Sequence, residues 1–170
     1  TVWDVPIGAG RRFTPGGITG ALLGGWTVTG VVTLQSGVPL AIAQTTNNNA
    51  FAGFGTQRPH LLRDPTLPAD QRSTARWFDT SAFEAAGAFT LGTSSRNPVR
   101  GPGYRNLDLA VLRRIGLGGS RALEVRGEVF NATNTPAWLA PNTTVGAAAF
   151  GTITAAGDPR VVQLAVKFLY

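Results

Sequence analysis

The sequence contains no cysteine, no methionine and a single histidine. Without cysteine there is no disulfide framework and no thiolate metal site. With His60 alone, a zinc constellation would have to be built from carboxylates. A solvated loop histidine is the simpler reading of Arg58-Pro59-His60-Leu61. Acidic residues are scarce too, 9 against 15 basic ones, which gives a formal net charge of +6. That balance invites a nucleic-acid reading. The basic residues, however, are scattered arginines plus Lys167, with no recognition helix or stacking motif beside them. No nucleic-acid partner is expected. Charged residues make up 14% of the chain, below the roughly one quarter usual in globular proteins. No run reaches the roughly 18 apolar residues of a membrane-spanning helix. That absence leaves membrane strands open, because their signal is far weaker. No signal peptide is visible, and the chain opens in mid-strand at Val2-Trp3-Asp4-Val5-Pro6-Ile7. A fragment of a longer protein is therefore expected.

What is present is alternation with period two. In Trp26 to Gln35, one face holds Trp26, Val28, Gly30, Val32 and Leu34; the other holds Thr27, Thr29, Val31, Thr33 and Gln35. Tyr104 to Leu112 repeats the pattern, with Leu107, Leu109 and Val111 opposite Asn106, Asp108 and Ala110. In Ala122 to Phe130, Leu123, Val125, Gly127 and Val129 oppose Glu124, Arg126 and Glu128. The last segment sets Val162, Leu164, Val166, Phe168 and Tyr170 against Gln163, Ala165, Lys167 and Leu169. With the opening segment this predicts an all-β, antiparallel up-and-down sheet of about five strands. Helix candidates are brief: Ile18 to Leu23 and Ala69 to Phe78. Val-, Thr- and Gly-rich segments favour strands over helices.

The connections are unequal. Gly116-Leu117-Gly118-Gly119-Ser120 reads as a tight turn, whereas about residues 44–103 form one long loop rich in Asn, Pro, Gly, Ser and Arg. Compact soluble domains rarely carry such a loop. Outer-membrane barrels do, with short periplasmic turns and long extracellular loops. If the Tyr170 end is periplasmic, the turn after Leu117 and the Gly8–Gly25 connection lie in the periplasm and the long loop lies outside. The Gly8–Gly25 connection is longer than this scheme prefers.

Hydrocarbon supplies no hydrogen bonds, so a spanning sheet must pair its own backbone and turn apolar side chains outward. Its charged row then belongs on a wet or paired face, since isolated buried charges are very unfavourable. Asp108, Glu124, Arg126 and Glu128 are accordingly expected to face the lumen. Trp26, Tyr104, Phe130, Phe168 and Tyr170, near strand ends, suit an interfacial aromatic girdle. The competing fold is a soluble, lectin-like β-sandwich, which alternates in the same way. It requires Leu123, Val125, Val129, Leu164 and Val166 to pack under a second sheet.

The ordered motifs resemble TonB-dependent receptors. Gly24-Gly25-Trp26-Thr27-Val28-Thr29-Gly30, continuing through Gln35-Ser36-Gly37-Val38-Pro39-Leu40, is similar to a GGWxxxGxxxxQSGxPF strand of that family. The nearest group is the Oar-like receptors with a carboxypeptidase-regulatory-like domain. Further matching segments follow in order: Pro6 to Phe13, Trp77-Phe78-Asp79-Thr80-Ser81-Ala82-Phe83, Arg100-Gly101-Pro102-Gly103, Glu128 to Asn134, Phe150-Gly151-Thr152-Ile153, Ala156 to Arg160, and the terminal strand over about residues 160–170. The resemblance spans nearly the whole chain. It implies the C-terminal portion of a 22-stranded barrel in a bacterial outer membrane, with a periplasmic C-terminus. It implies energised uptake of a siderophore, oligosaccharide or peptide, through TonB and an upstream plug absent from this chain. It also implies that Leu164, Val166, Phe168 and Tyr170 form the signal read by the barrel-assembly machinery. The family often ends in Phe, so Tyr170 departs from the pattern.

No enzyme is expected, and no cofactor. Glu124 and Glu128 lie four residues apart on a strand, about 13 Å, beyond the roughly 5–9.5 Å range of a glycosidase pair. Gly8-Ala9-Gly10 lacks the third glycine and following helix of a nucleotide fingerprint. Asn47, Asn48 and Asn49 are candidate contacts for an extracellular ligand.

Overall fold

The structure, a computed structural model, describes residues 1–8, 10–46 and 56–170. These divide into two compact units. The first gathers residues 1–34, 105–136 and 158–170. It is a five-stranded sheet in sequential order: β1 (Val2–Asp4), β2 (Trp26–Gln35), β3 (Tyr104–Gly118), β4 (Arg121–Phe130) and β5 (Val161–Leu169). β1 runs antiparallel to β2, and β4 runs antiparallel to both β3 and β5. The sheet is open, with β1 and β5 at its edges.

The strand cores follow the alternation, and the limits shift. The opening strand stops at Asp4 rather than Ile7, because Pro6 has no N–H to give a ladder. Ile7 instead forms an isolated bridge with Phe13. β3 runs on through Gly118, past the expected turn start, with a register irregularity between Gly116 and Gly118. Gly118 and Gly119 then take φ of 97° and 61°, which suits the tight return into Arg121. Of the helix candidates, the first becomes α1 (Gly17–Leu23) and the second shrinks to a 3-10 turn at Ala69–Gln71.

The second unit gathers residues 35–104 and 137–157. The expected long loop is thus a folded body that also takes in the β4–β5 connection. Pro39–Leu40 pairs with Val99–Arg100, and His60–Leu61 pairs with Phe83–Glu84, both antiparallel. Ala43–Gln44 pairs in parallel with Thr144–Val145. Ile42, Phe78, Ala82, Phe83 and Val99 form a buried core, with Phe150 packed against it. The Phe78 ring meets Phe83 and Phe150 edge-on at centroid separations of 6.0 and 5.3 Å. Backbone bonds stitch the two segments, Trp77 N–H to Gly151 O (2.9 Å) and Ile153 N–H to Thr74 O (2.7 Å).

Candidate functional site

The pairing register decides which side chains share a face, because neighbours across a ladder point the same way. Val129, Gly127, Val125 and Leu123 lie opposite Val162, Leu164, Val166 and Phe168 of β5. On the other side they meet Leu109, Val111, Arg113 and Ile115 of β3. The side chains of Leu164 and Val111 both lean over Gly127, each 3.4 Å from where a Cβ would stand. Leu109 stands in the same way 3.3 Å from a Cβ on Gly30, which brings the Trp26–Leu34 face of β2 into this surface. Trp3, paired with Val28, extends it to β1. The result is one apolar face across all five strands.

That face is open. Leu164, Val166 and Leu34 are 81%, 68% and 74% exposed. A sandwich requires Leu164 and Val166 to be covered, and they are not.

The opposite face carries the charged row. Glu124 stands between Arg114 of β3 and Lys167 of β5, and Glu128 stands between Ala110 and Gln163. Arg126 donates from Nη2 to Glu128 Oε1 at 2.6 Å. Asp108 accepts the Asn131 backbone N–H at 2.9 Å, closing the chain as it leaves β4. Asp4 accepts the Thr27 hydroxyl at 2.7 Å, which continues the polar surface onto β1 and β2. Expected members of the row therefore share one face.

The girdle expectation is corrected at Tyr104, which the alternation of β3 sets on the face of Asp108, and at Phe130. Phe130 pairs with Val161 one step beyond the Val129–Val162 pair, so it falls on the charged face with Glu128. Trp26 and Phe168 stay on the apolar face near the tight-turn end, and the Phe168 and Tyr170 rings stack at 6.3 Å. Arg113 was not foreseen. The alternation breaks there, and an arginine enters the apolar face opposite Val125.

In the second unit, polar chemistry serves the fold. Asp79 receives Arg63 (2.9 Å) and Arg76 (3.1 Å). It also accepts the Ser81 hydroxyl at 2.7 Å. The Ser81 bond above all, helped by the two guanidinium groups, holds its carboxyl down at about 2. The Asp64 carboxyl is also lowered, by hydrogen bonds from Thr66. Gln44 is buried, spanning the Gln57 side chain (3.1 Å), the Ala86 carbonyl (3.1 Å) and the Ala86 N–H (2.8 Å). Gln57 in turn donates to the carbonyls of Gly87 and Thr90. Asn47, Asn48 and Asn49 lie outside the described residues. His60 stands opposite Glu84 in a short ladder.

A cavity of about 280 Å³ opens among Leu67, Arg72, Trp77, Phe78 and Arg100. It is slightly below the roughly 300–1,000 Å³ usual for ligand sites. Its guanidinium groups are committed, Arg72 to Leu67 O (2.7 Å) and Arg100 to Gly37 O (3.1 Å). Among the described residues no group of three or more His, Cys, Asp or Glu side chains assembles.

A family model described as an outer membrane beta barrel domain matches residues 1–163. The chain belongs to this family. No curated protein and no solved structure matches it. An outer membrane β-barrel domain crosses lipid with strands, so its location is the outer membrane. No helix among the described residues is long and apolar enough to cross a membrane, which is immaterial to a barrel.

For such a barrel domain the two faces acquire solvents. The uncovered apolar face suits acyl chains, and the charged face suits water. The ends sort as well. The β3–β4 turn, the last residues of β5 and, through Arg113, the β1–β2 connection share one end of the sheet. β2 and β4 end, and β3 and β5 begin, at the other.

Proposed function

We propose that this barrel domain is the C-terminal segment of a TonB-dependent receptor, a 22-stranded barrel that takes up a siderophore, oligosaccharide or peptide from outside the cell. The observation that carries the reading is the open sheet with an uncovered apolar face. In hydrocarbon, each unpaired backbone group on the free edges of β1 and β5 would cost several kcal/mol, so more strands must complete the wall. The ordered motifs from Gly24-Gly25-Trp26 to the terminal strand supply the receptor type. In this reading Asp108, Glu124, Arg126 and Glu128 line the wet lumen, and Tyr170 is periplasmic. The second unit, with Asn47, Asn48 and Asn49, faces the ligand outside. Leu164, Val166, Phe168 and Tyr170 are presented to the barrel-assembly machinery. The protein is a transporter segment without catalytic residues or a cofactor.

The test uses the full-length protein in its native outer membrane. Ligand accumulation should require TonB, and the folded barrel should migrate differently before and after heating. Replacing Phe168 and Tyr170 together with Ser should lower the inserted fraction. Uptake that continues undiminished in cells lacking TonB would overturn the receptor assignment.

A further inference from the structure

Arg113 is the charged residue that the β3–β4 register sets opposite Val125, between Val111 and Ile115 on the apolar face. A guanidinium there needs partners, and it finds them in α1. It donates to the Leu22 carbonyl at 3.1 Å and to the Ala21 carbonyl, two of the acceptors that a helix leaves unpaired at its C-terminal end. Its carbon centre lies 5.6 Å from the centroid of the Trp26 ring. The Trp26 indole N–H donates to the same Leu22 carbonyl at 2.9 Å. Arg113 and Trp26 both belong to the apolar face. The C-terminal end of α1 is therefore fastened on the apolar side of the sheet, at the tight-turn end.

α1 has the surface of an element that meets apolar medium. Its sequence is Gly-Ile-Thr-Gly-Ala-Leu-Leu, with no charged residue, and none of its residues is buried. Ile18 and Leu22 are 79% and 63% exposed. Just before the helix, Phe13 is also exposed, with the Arg12 guanidinium 5.4 Å from its ring centroid. Apolar side chains beside arginine and tryptophan match the boundary between acyl chains and phosphate headgroups. A helix of seven residues would not hold together alone in water. Tethering by Arg113 and Trp26 removes that requirement.

We infer that α1 is an interfacial anchor. It lies in the headgroup–acyl boundary of the leaflet that meets the tight-turn end of the barrel. Ile18 and Leu22 dip into acyl chains, Arg12 reaches lipid phosphates, and Arg113 bolts the element to the wall. The inference rests on the barrel reading, because the apolar face must already border lipid for α1 to continue it.

The experiment uses the full-length protein in vesicles of phosphatidylethanolamine and phosphatidylglycerol doped with nitroxide-bearing phosphatidylcholine. A fluorophore is attached at Leu22→Cys, or at Val111→Cys on the sheet as the reference. The lipid quencher should dim both labels, each by about twofold or more, with aqueous iodide far less effective. Adding Arg113→Gln to the Leu22→Cys protein should lower lipid quenching at the helix. The same change should leave the Val111→Cys label as it was. If iodide, or neither quencher, reaches the helix label while lipid still quenches the sheet label, α1 sits in water or under protein; the anchor inference then falls and the barrel stands. If lipid fails to quench the sheet label, both readings fall.

Discussion

The sheet and the loop unit bury their apolar residues in opposite senses. In the loop unit Phe78, Ile42 and Ala82 are all but inaccessible, and charged groups such as Asp79 and Arg63 sit near the surface in pairs. In the sheet, large aliphatics such as Leu34, Leu164 and Val166 stay exposed, and the carboxylates gather on the opposite face with Arg126 and Lys167. The loop unit is organised as water demands, with apolar area withdrawn into a core. The sheet is organised as a bilayer demands, with backbone pairing inside and grease outside. One chain thus answers two solvents, and substitutions should act differently in the two regions.

The strongest separation is expected from Phe78→Ala. It removes a fully buried ring flanked by Phe83 and Phe150 and should destabilise the loop unit by roughly 3–5 kcal/mol. Hydrogen exchange should report opening of residues 58–104, while the inserted barrel stays intact. Equal loss in the sheet would merge what the comparison keeps apart.

Val111→Arg attacks the other side. On a lipid-facing wall near mid-membrane it should cost about 2–4 kcal/mol. On a water-washed strand face it should be nearly neutral. Urea unfolding of the full-length protein in phospholipid decides between the two, and a shift below about 0.5 kcal/mol would break the lipid assignment.

Gln44→Ala is smaller. It strands the buried Ala86 N–H and loosens the clasp to Gln57, for about 1–3 kcal/mol. Protease cleavage should increase within the loop unit. Barrel migration on gels should not change.

The smallest effect is acid sensitivity at Asp79. Its carboxyl is lowered from 3.8 to about 2, so its contribution is complete above pH 3.8 and drains away as pH falls toward 2. Because the ion pairs meet solvent, about 1 kcal/mol is at stake. Pepsin nicking of the loop unit should rise through that window in the natural protein. In Asp79→Asn the dependence should flatten, and an unaltered profile would remove Asp79 from the account.

Much of the sheet is legible in the sequence. Alternation in Trp26–Gln35, Ala122–Phe130 and Val162–Tyr170 assigns side chains to faces, because a strand's side-chain period is local and equal to two. Phe130 was misassigned because nearness to a strand end does not tell which way a residue points. Arg113 was missed because the visible pattern stopped at Leu112, and its partners on α1 lie far away in sequence. The density of aromatics at Trp77, Phe78 and Phe83 is the available hint that residues 44–103 are more than a solvated loop.

By itself, then, the sequence determined the strands, their two faces and the scarcity of cysteine, histidine and acidic residues. Those properties follow from residue type and short-range spacing. Only the tertiary structure decided that Ile42, Phe78, Val99 and Phe150 would share one core, that Gln44 and Gln57 would bond side chain to side chain, and that an arginine on the apolar face would hold a helix. Each of these joins residues more than ten positions apart, and contact that distant is settled by packing the whole chain, which no local period encodes.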